Sequence, residues 1–402
     1  MSSASDLTST AFIYKSVYSD RQVGDLAMRF HPTFKILSKE GKFTGADFKY
    51  AIRGANPQGV ASTFDDAKSG ASSSKGLQLT ALRKRKYGYI TMDGESIAAA
   101  DGDKGAFMRL VTMETDGILE EMGDSLAFDL FRDGGGARGQ RASISGDTVT
   151  LTVADDARNF KEGMTVIAGP NADGSSIDTG TTTVVAVDED AGKITLDDET
   201  DLTAFADSDY LFRNGDQGGC MEGLAALFPL TAPVLTSDSF RGVDRGVDPR
   251  KYAGVRFDDT AVPIHKAAGK VAVKIGQVGQ RARIVVLNPL PFFTVTEMLD
   301  AKVTYDGGGV KASAGFEGFD MHTSAGTIRA VADPDCPVDR GYVLNLETIY
   351  LKHLRALPHI VMDDGIRSLR QTDDDGIEAR ARSWCNAIST RPGSNGVFSI
   401  AA

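Results

Sequence analysis

The sequence is poor in most of the residues that betray a chemistry. It has three cysteines in 402 residues, Cys220, Cys336 and Cys385. Their odd number and wide spacing suit neither a disulfide framework nor a zinc site. Reduced thiols packed as small hydrophobes are expected. The five histidines, His31, His265, His322, His353 and His359, have no metal-type partner at helical i, i+4 spacing in a recognisable motif. A structural or surface role is expected for each. No GxxxxGK[ST], HExxH, GxSxG or CxxC motif occurs, which removes the main sequence signatures of nucleotide, zinc, serine-hydrolase and thiol-redox sites. There is no apolar run of about 18 residues, so no membrane-spanning helix is expected. The N-terminal MSSASDLTSTAF has neither a basic n-region nor an apolar h-region, so secretion is not expected. Positive charge is in deficit: 44 Lys and Arg face 55 Asp and Glu, a formal net charge of −11. That argues against a dedicated nucleic-acid binder, but not against a container that faces nucleic acid without gripping it.

Two weak motifs are set aside. Gly134, Gly136 and Gly139 match GxGxxG, but they follow a predicted helix where a dinucleotide fold needs a strand. Asp373-Asp374-Asp375-Gly376 lacks the alternating ligands and terminal glutamate of a calcium loop, and a solvated turn is expected. No catalytic, cofactor-binding or metal residue is assigned.

What is present begins with a hydrophobic fraction of 41%, enough for a sizeable core. The length suggests two to four domains at about 150 residues each. The stretch Lys104 to Asp133 organises the chain. Phe107, Val111, Ile118, Met122, Leu126 and Leu130 recur with the period of one helical face. Asp101 or Asp103 can cap its start, and Arg132 followed by Gly134 suits its end. Such a helix is roughly 45 Å long, a beam across an extended molecule. It carries Glu114, Glu120, Glu121 and Asp124 among its acids. Gly117 and Gly123 sit inside it, each costing about 1 kcal/mol relative to alanine. They suit either close packing against a neighbouring backbone or a helix permitted to bend.

Before that helix, Phe43, Phe48, Tyr50 and Ile52 alternate with polar residues, as do Leu77, Leu79 and Ala81, which predicts two strands. The Gly-, Ser- and Asn-rich segment between them predicts an exposed tip. An isolated hairpin is marginal in water, so this one calls for a partner surface. Arg83, Lys84, Arg85 and Lys86 follow it. This basic run can protect a strand edge, dock on an acidic surface of another subunit, or touch nucleic acid. The acidic helix supplies the partner for the second reading. Single exposed pairs contribute about 0–1 kcal/mol, but many copies fix register and orientation.

After Gly134-Gly135-Gly136 the period becomes two. Short runs at Thr148–Val153, Met164–Ile167, Thr181–Val187, Lys193–Leu196 and Tyr210–Phe212 are separated by Asp-, Asn- and Gly-rich turns. They predict a small sandwich or barrel inserted at about 141–214. Beyond it, RGVDRGVDP (residues 241–249) is read as a loop. Ile264–Val278 is expected to form a helix, Ile284–Leu287 a buried strand, and Thr294–Ala301 a short helix. In the last part, Ile377, Ala381 and Trp384 are spaced for one face, and Val397–Ile400 is a terminal apolar strand.

The order of these parts resembles the tailed-phage major capsid protein with the HK97 fold. The resemblance rests on DGGG after the long helix, on Met221-Glu222-Gly223-Leu224 closing a glycine-rich segment, on IVVLNPLPFFTVTEML, and on RPGSNGVFSI. The segment FKEGMTVIAGP with TTTVVAVDEDAGKITL is similar to insertion domains in a subset of the family. It implies an α+β, HK97-like capsid fold plus an inserted all-β domain. The implied parts are an N-terminal arm at 1–42, an E-loop at 43–93, and a P-domain with its spine helix at 94–140. They continue with the β-rich insertion at 141–214, an A-domain at 215–360, and a C-terminal return to the P-domain at 361–402. It implies a non-enzymatic homo-oligomer of pentamers and hexamers, an icosahedral shell that encloses double-stranded DNA without sequence-specific binding. The implied partners are a scaffolding protein, a portal and a decoration protein. The implied setting is the virion, assembled in the host cytoplasm, with no membrane and no cofactor. Inter-subunit contacts are expected at Arg83, Lys84, Arg85, Lys86, Glu114, Glu120, Glu121 and Asp124. No long charged helical prefix is seen, so a fused scaffolding segment is not expected. An encapsulin-like protein compartment and a β-rich hydrolase are the alternatives.

Overall fold

The computed structural model describes residues 30–41, 43, 45–93, 104–202, 205–236, 239–299, 318–323, 326–361, 368–370 and 375–401, and the side chains of 104–113 lie outside that description. Most of the expected N-terminal arm, the caps Asp101 and Asp103, and Asp373-Asp374 fall outside it too. The chain is α+β. Residues Pro32–Ile36 form one helical turn and lead into strand β1 (Ser38–Gly41). Strands β2 (Asp47–Arg53) and β3 (Gly76–Leu82) pair antiparallel as a hairpin, from Asp47 opposite Leu82 to Arg53 opposite Gly76. The tip is not wholly irregular. A short helix, Phe64–Ser69, is capped by Thr63, whose hydroxyl accepts from the Asp66 N–H at 3.3 Å. At the root, Tyr50, Ile52, Leu79 and Ala81 bury against Val243, Tyr252 and Ile388. The partner surface that the hairpin calls for is therefore supplied, at its root, by its own chain.

Strand β4 (Lys84–Asp93) leaves the hairpin. The expected E-loop at 43–93 therefore divides: its last ten residues belong to a body sheet. The long helix runs Lys104–Phe131 and packs on β4. Ile118 and Met122 approach so closely that a Cβ on Gly88 would lie 2.8 Å from Met122 Sδ. One-faced burial does not hold to the end of the helix. From Ser125 to Phe131 every residue is buried, because this end runs into the core between the sheets, beside Phe34, Met221, Leu224, Tyr342 and Leu351. A helix buried all round loses its amphipathic signature. Gly223 fixes that junction. A Cβ there would lie 2.2 Å from Leu130 O, and its N–H donates to Arg132 O at 3.0 Å.

Strands β5 (Ala137–Ser145), β6 (Thr148–Leu151), β7 (Thr165–Gly169), β8 (Thr182–Asp188), β9 (Lys193–Leu196) and β10 (Tyr210–Arg213) close into a barrel in the order β10-β5-β6-β9-β8-β7. Val149, Leu151, Phe160, Val166, Val184, Ile194 and Leu211 fill its core.

The remaining strands are β11 (Ser239–Phe240), β12 (Val243–Asp244), β13 (Val255–Phe257), β14 (Ile284–Leu287), β15 (Gly318–Thr323), β16 (Gly326–Ala332), β17 (Arg340–Leu344), β18 (Ile349–His353), β19 (His359–Ile360), β20 (Ser368–Arg370), β21 (Gly376–Ser389) and β22 (Gly396–Ser399). One six-stranded sheet runs β13-β22-β17-β14-β16-β15. The helix Ile264–Gly276 covers it with Ala267, Ala268, Val271, Ala272 and Ile275. The helix expected at Thr294–Ala301 starts earlier, at Pro289. Asn288 caps it, its side-chain oxygen accepting from the Leu290 N–H at 3.0 Å, and proline suits a first helical position.

The other six-stranded sheet gathers distant segments. β21 pairs antiparallel with β4, β18, β19 and β20, and β18 pairs parallel with β1. β18 and β19 join this sheet, whereas β22 pairs with β13 and β17 in the other one. Ala381 and Trp384, expected on one face with Ile377, do not lie together. The segment is a strand, so Ala381 and Trp384 point to opposite sides. The tandem tetrapeptide is more structured than a loop. It holds β12, a 3-10 turn over Arg245–Val247 and the start of the helix Pro249–Ala253.

Candidate assembly surfaces

Four groups of charged side chains hold the units together, and they account for part of the expected contact set. The first centres on His31. Its Nδ1 lies 2.6 Å from Asp335 Oδ2 and its Nε2 3.0 Å from Asp124 Oδ1. Burial works against the imidazolium, but the hydrogen bonds it donates to Asp124 and Asp335 outweigh it and push the pKa up to about 10. Lys161 of the barrel bonds both Asp124 and Glu121, the latter at 2.6 Å, and Arg213 also pairs with Glu121. Burial alone would raise Glu121 and Asp124. Arg213 and Lys161 pull the first below the usual carboxylate range, and His31 with Lys161 pulls the second. These contacts join the N-terminal segment, the long helix, the barrel and the loop before β17.

The second group sits under β4. Lys86 Nζ lies 2.8 Å from Asp129 Oδ2 and 3.3 Å from Asp216 Oδ2, and Arg138 reaches Asp216 at 3.5 Å. Burial opposes the ammonium, but Asp129 and Asp216 hold its pKa above the ordinary lysine value. The third is built on Arg241, at φ +52°. It donates to Glu222 Oε2 at 2.7 Å, Tyr50 O–H at 3.0 Å and Ala387 O at 2.8 Å. In the fourth, Arg132 reaches Asp156 at 3.2 Å and binds the barrel to the helix end.

The expected contact residues therefore separate. Lys86, Glu121 and Asp124 are engaged within their own chain, because β4 turns its even-numbered residues toward the long helix. Lys86 is occupied by Asp129 and Asp216 of its own chain. Lys84 donates to Gly218 O at 3.1 Å. Arg83 lies over the Trp384 ring at 5.7 Å. Arg85, Glu114 and Glu120 are exposed. Sequence reasoning missed His31, which carries no motif, and Arg241, hidden in the tandem tetrapeptide.

The odd-numbered face of β4 points away from the long helix. There Arg85 stands opposite Trp384, Tyr87 opposite Arg382 and Tyr89 opposite Arg380. Each rung places an arginine beside an aromatic ring. Arg382 lies 4.4 Å from the Trp384 centroid. Tyr87 is 63% exposed and Tyr89 55%, and Tyr89 O–H donates to Glu378 at 2.7 Å. At the hairpin tip the chemistry is reversed. Val60 is 88% exposed and Phe64 80%, beside exposed Asp65 and Asp66.

All three cysteines are free and buried, and burial raises each thiol's pKa. Among the described residues, no helix is long and apolar enough to cross a membrane, and no group of three or more His, Cys, Asp or Glu is placed to hold a metal ion.

No family model matches the chain, and no curated protein matches its sequence. Solved structures do show similarity. The cyanophage A-1(L) capsid asymmetric unit is 11% identical over 92% of both chains, with a TM-score of 0.48. A chain from Mycobacterium phage Ogopogo is 9% identical over 93% of both, with a TM-score of 0.44. The capsid of a native GTA particle is 8% identical over 96% of this chain and 92% of that one, with a TM-score of 0.45.

Proposed function

We propose that this chain is a structural subunit of an HK97-type capsid. It assembles as pentamers and hexamers into an icosahedral shell around double-stranded DNA, with scaffolding, portal and decoration proteins as its partners. One observation carries the reading. The chain bears two complementary surfaces, an arginine–aromatic sheet face and an acidic, apolar hairpin tip, and both are exposed in a single copy. Surfaces that match but do not meet within one chain suit a head-to-tail, heterologous contact, which forms rings where its rotation closes. Docking the tip would cover Phe64 and Val60 and set Asp65 and Asp66 against Arg380, Arg382 and Arg85. The clamped core of long helix, barrel and sheets provides a stiff body between the two surfaces. The exposed Glu114 and Glu120 remain available for a further contact.

The test is co-expression with the cognate scaffolding protein. Reversing Arg85 and Arg380 to Glu, or changing Phe64→Ser with Asp65→Lys, is expected to abolish shells while leaving a folded subunit by circular dichroism. Normal shells from both variants would refute this contact. Shells filled with protein cargo and free of nucleic acid would favour a compartment over a virion.

A further inference from the structure

A cavity of about 910 Å³ opens between the hairpin root and the Pro249–Ala253 helix. Arg53, Arg250, Lys251 and Arg391 line it, against a single carboxylate, Asp248. That carboxylate is already engaged, capping its own helix by accepting the Lys251 N–H at 3.1 Å. Among the described residues none of the four cations forms an ion pair with a carboxylate. Lys251 and Arg250 donate instead to the backbone oxygens of Gly54 and Lys274, and Arg250 Nε is buried without a hydrogen-bond partner. Arg53 and Arg391 are exposed at the rim. The chain as a whole carries a formal charge of −11, so a concentration of unneutralised cations here is not a sample of the average surface. Ile52 and Val278 add apolar wall.

We propose that this cavity is a binding site for an oligophosphate of nucleotide size. Guanidinium groups match phosphate oxygens in planar, bidentate geometry, and four cations from three separate segments, Arg53, Arg250 with Lys251, and Arg391, can surround several phosphates at once. The volume lies within the range of small-molecule sites, about 300–1,000 Å³. It is larger than an inorganic phosphate needs, and the apolar wall gives an organic group a place to rest. The site stands apart from the shell contacts proposed above and does not depend on them.

The test is calorimetric titration of the full-length unassembled chain, at low ionic strength, with sodium tripolyphosphate and with ATP. One site per chain is expected for each, weakening as salt is raised. Arg53→Glu and Arg391→Glu, both at exposed positions, are each expected to weaken binding by about ten- to a hundredfold. Lys193→Glu on the barrel is expected to leave it unchanged. Tighter binding of ATP than of tripolyphosphate would support the apolar wall as part of the site. Absence of binding by both probes, or indifference to the two reversals, would overturn the proposal. So would equal binding of a polyglutamate peptide, or binding of a DNA duplex without tripolyphosphate, since each would replace an oligophosphate pocket by unspecific attraction.

Discussion

Raising the pH is expected to loosen the joint between the N-terminal segment and the body. His31 bridges Asp124 and Asp335, and it holds its proton more tightly folded than unfolded. Its contribution is therefore fully present below about pH 6.5, the unfolded imidazole value, and is lost as the pH rises toward about 10. At full strength that shift corresponds to roughly 5 kcal/mol. The Asp124 side chain is 41% exposed, so water screens one arm of the clamp. The expected loss is about 2–4 kcal/mol, spread at close to 1 kcal/mol per pH unit. Asp333 is common to both proteins of the comparison below, so its own titration cancels in their difference. Burial raises it to about 6, at the lowest pH of the series. The assay is urea unfolding of the unassembled subunit at pH 6, 7, 8 and 9, beside His31→Gln. The gap between the two proteins is expected to be widest at pH 6 and to close as the pH rises. A gap independent of pH, or an NMR titration of His31 centred near 6.5, would show that the clamp is not charged.

Three further outcomes are expected. Lys86→Met strands Asp129 in the core and is expected to cost about 3–5 kcal/mol, whereas Asp129→Asn leaves Lys86 with Asp216 and is expected to cost about 1–3 kcal/mol; equal denaturation midpoints for both and for wild type would contradict this. Gly117 has nothing within 4 Å of a built Cβ, so Gly117→Ala is expected to stabilise by about 1 kcal/mol, and a lower melting temperature would mean that the helix needs to bend there. Gly223→Ala drives a methyl into the backbone at Leu130 and is expected to lower the yield of folded subunit sharply, with native-like circular dichroism and melting as the contrary result.

Periodic segments were the legible ones. The hairpin strands and barrel strands such as β6 bury alternate residues, and that step is written in the sequence. β21 was obscured because small residues carry its alternation: Ala379, Ala381, Ser383, Cys385 and Ala387 are buried at every second place, while arginines and Trp384 between them blur the contrast. The basic run looked like one feature, yet a strand sends neighbours to opposite faces. Lys86 thus enters the core while Arg85 meets solvent. The clamps on His31 and Arg241 join residues far apart in sequence, such as His31 and Asp335, and no local pattern announces a pair brought together by folding. The glycines of DGGG and of Met221-Glu222-Gly223-Leu224 mark close backbone approaches, at Gly135 to Ala172 and at Gly223 to the helix end.

The central claim is that copies of this chain complete one another's surfaces. Negative-stain microscopy of the full-length protein, expressed with and without a candidate scaffolding protein, tests it most directly. Closed particles of uniform diameter, built from rings of five and six, are the result expected. A monodisperse monomer under both conditions, at concentrations where related shells form, would contradict it.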